Sequence, residues 1–204
     1  MHKVHLYLFD QLATLPEGFV AEHLHFLPAF RREQCISYRQ TIDQQNCVIA
    51  YLLLLQGLRE QYGIDAQMEF VYGAHGKPYL KDYPHIFFNI SHCKRGAVCA
   101  LADFEVGVDM QDVRPYNPSI ARRVCSDDEL QLLSKADDPA RLFCGMWAAR
   151  ESCAKMLGCS VADILKQDVL VEDIAFFATD SYCVAVCSRE LAFDVMVHEQ
   201  TSIL

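Results

Sequence analysis

No stretch of this chain is long and apolar enough to cross a bilayer. The longest uninterrupted apolar run, Val48 to Leu55, falls far short of the roughly 20 residues that a spanning helix requires. Nor do the first residues read as a secretory leader. The first residues alternate Val4, Leu6 and Leu8 with His5, Tyr7 and Phe9 and show no small-residue cleavage site, so residues 3–9 read as a strand of the mature protein. Positive charge is scarce: 18 Lys and Arg against 27 Asp and Glu leave a net charge of −9. That balance argues against nucleic acid or an anionic membrane surface as a general partner. It leaves room for a small polyanion, which needs only a local cluster of donors and a divalent cation. Ten cysteines are present, yet no C-x-x-C pair and no Cys/His spacing of a zinc site occurs. Cys47, Cys99, Cys144, Cys183 and Cys187 sit inside apolar patterns, which favours reduced, mostly buried thiols in a cytosolic protein. There is no low-complexity linker. With 52% apolar residues in 204, the chain suits one large domain or two small halves sharing a core.

What is present is a mixture of α and β patterns. Residues 28–41 have helical composition, with Arg31, Arg32 and Arg39 on a polar surface. The spacing predicts a longer helix over 43–62, opened by Asp43, apolar on more than one face and ended by Gly63. Gly73 to Pro78 reads as a loop, followed by strands over Ile86–Ile90, Gly96–Leu101 and 106–111. Pro115 and Pro118 interrupt, then short helices over 119–125 and 127–135 meet at Ser126, with Glu129 three residues on. Asp138-Pro139 opens a helix to Leu157 that Gly158 ends. A hairpin (Ile174–Ala178, Tyr182–Cys187) and a last strand, Phe193–Val197, complete the chain.

Four short polar constellations interrupt these patterns. In V-G-V-D-M-Q, strand alternation sets Asp109 and Gln111 opposite Val108 and Met110, on the side not committed to the core. Asp109 is then either a solvated strand-end carboxylate or a metal ligand. In W-A-A-R-E-S-C-A-K, Trp147, Glu151 and Lys155 recur every four residues on one helix face. Glu151 and Lys155 make either a surface ion pair or a carboxylate for a cation beside an ammonium for a phosphate. In N-I-S-H, Ser91 and His92 are neighbours on an extended segment and point apart, so they do not suit a nucleophile–base pair. A Ser/His hydrolase fails on that geometry. A satisfied turn, or a hydroxyl and an imidazole offered to a phosphate, remain. G-A-H-G-K-P at 73–78 is either a plain turn or a backbone that approaches a ligand closely. It is not a Walker loop, since no Ser or Thr follows Lys77.

Taken in order, G-K-P at 76–78, N-I-S-H at 89–92, V-G-V-D-M-Q at 106–111 and W-A-A-R-E-S-C-A-K at 147–155 resemble the 4′-phosphopantetheinyl transferase superfamily. The length resembles its Sfp-like, two-half branch. That resemblance implies an α+β fold of two similar α/β halves, residues 1–103 and 104–204, with the active site in the cleft between them. It implies a Mg²⁺-dependent transfer of the phosphopantetheine arm of coenzyme A to a serine of an acyl or peptidyl carrier protein, by a cytoplasmic monomer. By motif position, Asp109 and Glu151 match the metal-binding acids, Gln111 the third metal-side position, and Lys155 the lysine on the pyrophosphate. Ser91 and His92 match nucleotide contacts, Gly76, Lys77 and Pro78 the loop along the adenosine, and Arg31 a basic residue at the 3′-phosphate. Ser126 to Glu129 resembles the family's helix-start motif, and Arg114, Arg122 and Arg123, the densest basic patch near the motifs, are either an ordinary solvated helix face or the surface that receives an acidic carrier.

The chain departs from the family pattern at several points. Gln111 stands where glutamate is common, Gln45 and Gln34 where basic residues are expected, Val124 and Cys125 where paired phenylalanines are usual, and Gly158-Cys159-Ser160 in a shortened glycine-lysine-glycine stretch. Gln111 and Gln45 motivate an alternative, a coenzyme A- or carrier-binding module without catalysis. Retention of Asp109, Glu151 and Lys155 together weighs against it.

Overall fold

The computed structural model describes residues 2–165, 174–189 and 192–203. Strand β1, His2–Phe9, is followed by a short helix α1 (Phe19–His23), α2 (Ala29–Ser37) and the long α3 (Thr41–Tyr62). A small hairpin, β2 (Phe70–Tyr72) and β3 (Pro78–Leu80), carries the glycine loop at its tip. Then come β4 (Phe87–His92), β5 (Ala97–Ala102), β6 (Val106–Asp112), α4 (Pro118–Val124), α5 (Asp127–Lys135), α6 (Pro139–Leu157) and α7 (Val161–Ile164). Strands β7 (Ile174–Ala178), β8 (Tyr182–Ser188) and β9 (Phe193–Glu199) close the chain. The fold is α+β. Among the described residues no helix is long and apolar enough to span a membrane.

Besides the two-stranded β2–β3 ladder, the described residues form two larger sheets, in the orders β4-β5-β1-β9 and β6-β8-β7. One connection pattern recurs, with the small β2–β3 hairpin added in the first run and α7 in the second: a strand, then helices that include a long one, then an antiparallel hairpin whose second strand pairs with the first strand. It runs β1–α3–β4–β5 and again β6–α6–β7–β8. The last strand, β9, crosses back and pairs parallel with β1 in the first sheet.

The alternation of β1 assigns its two faces. Tyr7 and Phe9 join Val48–Leu54, Leu58, Phe88 and Leu101 in a core beneath α3. Val4, Leu6 and Leu8 face the other way and pack with Val98, Ala100, Val108, Met110, Val184 and Val186 between the sheets. Helix α6 covers the outer face of the second sheet, so the layers run α3, sheet, sheet, α6. Both long helices end in the same device. Gly63 and Gly158 adopt left-handed φ values of 67° and 64°, and backbone N–H groups fold back on the last turn.

Three expectations need correcting. Helix α2 stops at Ser37 because Tyr38 turns extended, and its carbonyl accepts the Gln44 side-chain amide at 2.9 Å. Helix α3 starts at Thr41 behind an extended Gln40, leaving Asp43 in the first turn, where its charge favours the helix dipole without capping the helix. Asp109 is not on an uncommitted face. Both faces of β6 are covered, and Asp109 is 2% exposed, under α6. The Ser126–Glu129 capping box does form. Glu129 Oε2 accepts Ser126 N–H at 2.8 Å and the buried Arg150 Nη2 at 2.6 Å, which fastens α5 to α6. All ten cysteines are reduced, without disulfides among the described residues, and eight of them are buried.

Gly107 sets the distance between β6 and α6. A Cβ there would stand 1.9 Å from the Ser152 carbonyl oxygen and 2.6 Å from Met156 N, both backbone atoms that cannot step aside. Gly107→Ala should therefore cost about 3 kcal/mol of unfolding free energy, the scale of an overpacked interior, when measured by urea denaturation.

Candidate active site

The site is built where the end of β4, the middle of β6 and the last turns of α6 meet. Asp109 is its node. Its Oδ1 accepts Lys155 Nζ at 2.6 Å and Ser91 Oγ at 2.8 Å, and its Oδ2 accepts Gln111 Nε2 at 2.9 Å. Lys155 Nζ also donates to Ser91 Oγ at 3.0 Å and to the Val108 carbonyl at 3.2 Å. The ion pair that forms is thus Lys155–Asp109, between helix and strand. The i, i+4 surface pair Glu151–Lys155 is not among the ion pairs of the described residues.

Glu151 is half-buried one turn before Lys155. Burial raises its pKa from the ordinary value, and the nearby Asp109 carboxylate raises it further, with Lys155 only partly offsetting them. Two carboxylates that strain against each other beside one lysine are a donor set suited to a hard divalent cation, which binds through one or two carboxylates and retains water. Among the described residues no group of three or more His, Cys, Asp or Glu converges, so any such cation rests on this pair with neutral oxygens completing the shell. Gln111 is aligned with them, but its amide N–H₂ is the group turned to Asp109. Its carbonyl oxygen becomes available on amide rotation.

The motif N-I-S-H is not a turn: β4 runs through His92. Its alternation sends Ser91 and His92 to opposite sides, Ser91 to Asp109 and His92 toward α2 and α3. The pKa of His92 is lowered, first by dehydration at the crowded strand end and then by the cations Lys155 and Arg31, with Asp43 and Asp109 opposing. Arg31, from α2, hydrogen-bonds Gln34 at 2.8 Å and lines a surface groove with Phe30, Tyr51, Phe70, Tyr72 and Pro78. The loop that presents Pro78 turns through left-handed backbone at His75 and Gly76, φ 55° and 78°. Arg31 and Pro78 thus share one groove, Asp109, Glu151 and Lys155 gather around β6 and α6, and His92 feels the charges of both Lys155 and Arg31.

Lys77 takes a different position. Its ammonium is buried, donates to the Met156 carbonyl at 2.6 Å and pairs with Glu105, capping the C-terminal end of α6. Arg114 pairs with Asp112, and Arg122 and Arg123 stand exposed on α4. Sequence reasoning passed over Asn89, whose buried amide reaches the Val108 N–H. Its signal was there, as a polar pair two residues apart (Asn89 and Ser91) on an otherwise apolar strand.

Compared with known proteins, residues 105–200 match the sequence profile of the 4′-phosphopantetheinyl transferase superfamily. A 4′-phosphopantetheinyl transferase of Bacillus subtilis is 32% identical over 133 residues, 64% of this chain and 59% of the relative. The 4′-phosphopantetheinyl transferase Sfp of Bacillus subtilis (strain 168) is 30% identical over 138 residues, 66% of this chain and 62% of the relative. The 4′-phosphopantetheinyl transferase AcpT of Salmonella typhi is 30% identical over 129 residues, 59% of this chain and 67% of the relative. The chain spans about three-fifths of the length of the Bacillus subtilis relatives it matches.

The folded protein holds the Glu151 proton more tightly than an unfolded chain does. Stability therefore falls as pH rises from the ordinary glutamate value through the raised one. Glu151→Gln removes that loss. It should raise the thermal midpoint of the metal-free protein at about pH 7.5 and leave it unchanged near about pH 3, where glutamate is protonated in both states. Scanning calorimetry at the two pH values checks this.

Proposed function

The chain belongs to the 4′-phosphopantetheinyl transferase superfamily, and from that premise we propose that it transfers the phosphopantetheine arm of coenzyme A to a serine hydroxyl of an apo carrier protein. The convergence of Asp109, Glu151 and Lys155 from β6 and α6 carries this reading. The serine oxygen attacks the β-phosphorus of coenzyme A, the bond from that phosphorus to the bridging oxygen breaks, and 3′,5′-ADP leaves. Such chemistry needs mainly alignment and charge neutralisation.

In this proposal Asp109 and Glu151, with Gln111, hold a Mg²⁺ ion, which when bound neutralises the diphosphate. Lys155 releases its contact with Asp109 to take the pyrophosphate oxygens. Glu151, with its raised pKa, accepts the serine proton. Arg31 and His92 meet the 3′-phosphate, and the Gly76–Pro78 backbone lies along the adenosine beside the aromatic edge of Phe30 and Tyr72. The buried ammonium of Lys77 supports that loop from behind. We assign residues 1–103 to the nucleotide side and 104–204 to the metal and carrier side, two similar halves flanking the cleft, on the strength of the recurring strand–helix–hairpin connection. A cytoplasmic monomer without nucleic acid or membrane as partner is part of the proposal.

The carrier's approach is proposed along α4. Exposed Arg122 and Arg123 adjoin an apolar groove of Pro115, Tyr116, Ile120, Phe143 and Trp147 that reaches Gln111. That pairing of basic rim and apolar floor suits an acidic amphipathic helix.

Incubation with coenzyme A, Mg²⁺ and a panel of apo carriers, read by mass spectrometry, should show the gain of one phosphopantetheine arm. Asp109→Ala and Glu151→Ala should each lower the rate by about a thousandfold or more without unfolding the protein. Coenzyme A binding without transfer to any carrier would instead indicate a binding module. Charge reversal at both Arg122 and Arg123 should raise the KM for the carrier by about tenfold and leave coenzyme A affinity unchanged; an equal loss of both would refute the patch.

A further inference from the structure

The two sheets adjoin through β4 and β6, each an edge strand of its own sheet. Strand β6 pairs with β8 along one edge only. The Val108 and Met110 N–H groups on its other edge would be buried without partners, at a cost of about 1–3 kcal/mol each. They are satisfied by side chains of β4. Asn89 Oδ1 accepts the Val108 N–H at 2.9 Å, and Ser91 Oγ accepts the Met110 N–H at 3.2 Å. The two-residue period of β4 matches that of β6, so an N-x-S pair substitutes for a backbone ladder between these two edge strands.

The Ser91 hydroxyl has one proton to give and two lone pairs to fill. All three are used. Met110 N–H and Lys155 Nζ donate to it, and it donates to Asp109 Oδ1. While Lys155 and Asp109 keep these contacts, the serine proton is committed to Asp109. Asn89 acts beside it, because Val108, whose N–H it accepts, presents its own carbonyl, in the next peptide unit, to Lys155 Nζ. The strand that bears Asp109 is thus held on one edge by β8 and on the other by these two side chains.

We propose that Ser91 and Asn89 are positioning residues, which fix Asp109 and Lys155 for the transfer by docking β6 onto β4. The proposal rests on the transferase reading for its kinetic consequences but not for its structural ones.

The test compares Ser91→Ala, Ser91→Thr, Asn89→Ala and Asn89→Asp with the unchanged protein. Calorimetric titration with 3′,5′-ADP in EDTA isolates nucleotide binding from the metal side. Its Kd should stay within about twofold in Ser91→Ala, while kcat falls by about tenfold to a hundredfold, the scale of a misplaced reacting group. The KM for coenzyme A should hardly move. Ser91→Thr and Asn89→Asp, which keep the acceptor oxygen, should recover most of kcat. Hydrogen exchange of assigned amides supplies a readout independent of activity: Met110 should lose protection in Ser91→Ala and Val108 in Asn89→Ala, each without the other. A rise of about tenfold or more in the ADP Kd with kcat unchanged would overturn the proposal, as would unaltered protection at both amides. If Ser91→Ala unfolds, Ser91→Cys, similar in size and a poor acceptor, takes its place. If the unchanged protein transfers nothing to any carrier, the transferase reading fails, and the amide arm still decides whether these side chains dock the strand.

Discussion

The contact between Lys155 and Asp109 is what the rest of the architecture serves. It links the last full turn of α6 to the centre of β6, and it needs the helix to lie almost on the strand. Gly107 permits that approach, since any side chain would strike the α6 backbone. A carboxylate that is 2% exposed would be costly if left unpaired. Here it accepts three hydrogen bonds, from a lysine, a serine and a glutamine. The arrangement keeps the Asp109 charge in a dry place while leaving the second acid, Glu151, strained beside it.

That strain and the packing are two aspects of one design. The same closeness that satisfies Asp109 holds Glu151 where burial and a like charge both oppose its ionisation. A divalent cation is the species that would relieve both carboxylates, and a diphosphate would relieve Lys155 in turn. Under the proposed reaction the site exchanges one internally neutralised arrangement for another. Its rigidity comes from contacts around the site and beyond it. These are the buried Arg150–Glu129 pair that fastens α5 to α6, the Lys77–Met156 contact at the end of α6, and the Asn89–Ser91 docking of β4 onto β6.

Much of the secondary structure was legible because it is governed by local rules. The glycines that end α3 and α6, the Asp138-Pro139 start of α6 and the Ser126–Glu129 box are set by backbone geometry and capping within a few residues. The misreadings share a different cause. Helix α2 ends early because its exit must turn the chain into α3. The hairpin around the glycine loop went unread because each of its strands has only three residues, too few to show a period.

The sequence by itself determined the α+β class, the four polar motifs and their order, and the fact that Ser91 and His92 must diverge, since all of these follow from periodicities and residue chemistry along a short stretch. Only the tertiary structure decided what each motif touches. Asp109 looked solvated from its own strand and is buried because a helix some forty residues later covers the second face of that strand. Lys155, read as a partner of Glu151 or of a phosphate, pairs with Asp109, and Lys77, read within a plain turn or a ligand-side loop, caps a helix. Partner choice among charged groups depends on which surfaces are brought together and dried, and that is a property of packing between distant segments, which no local pattern encodes.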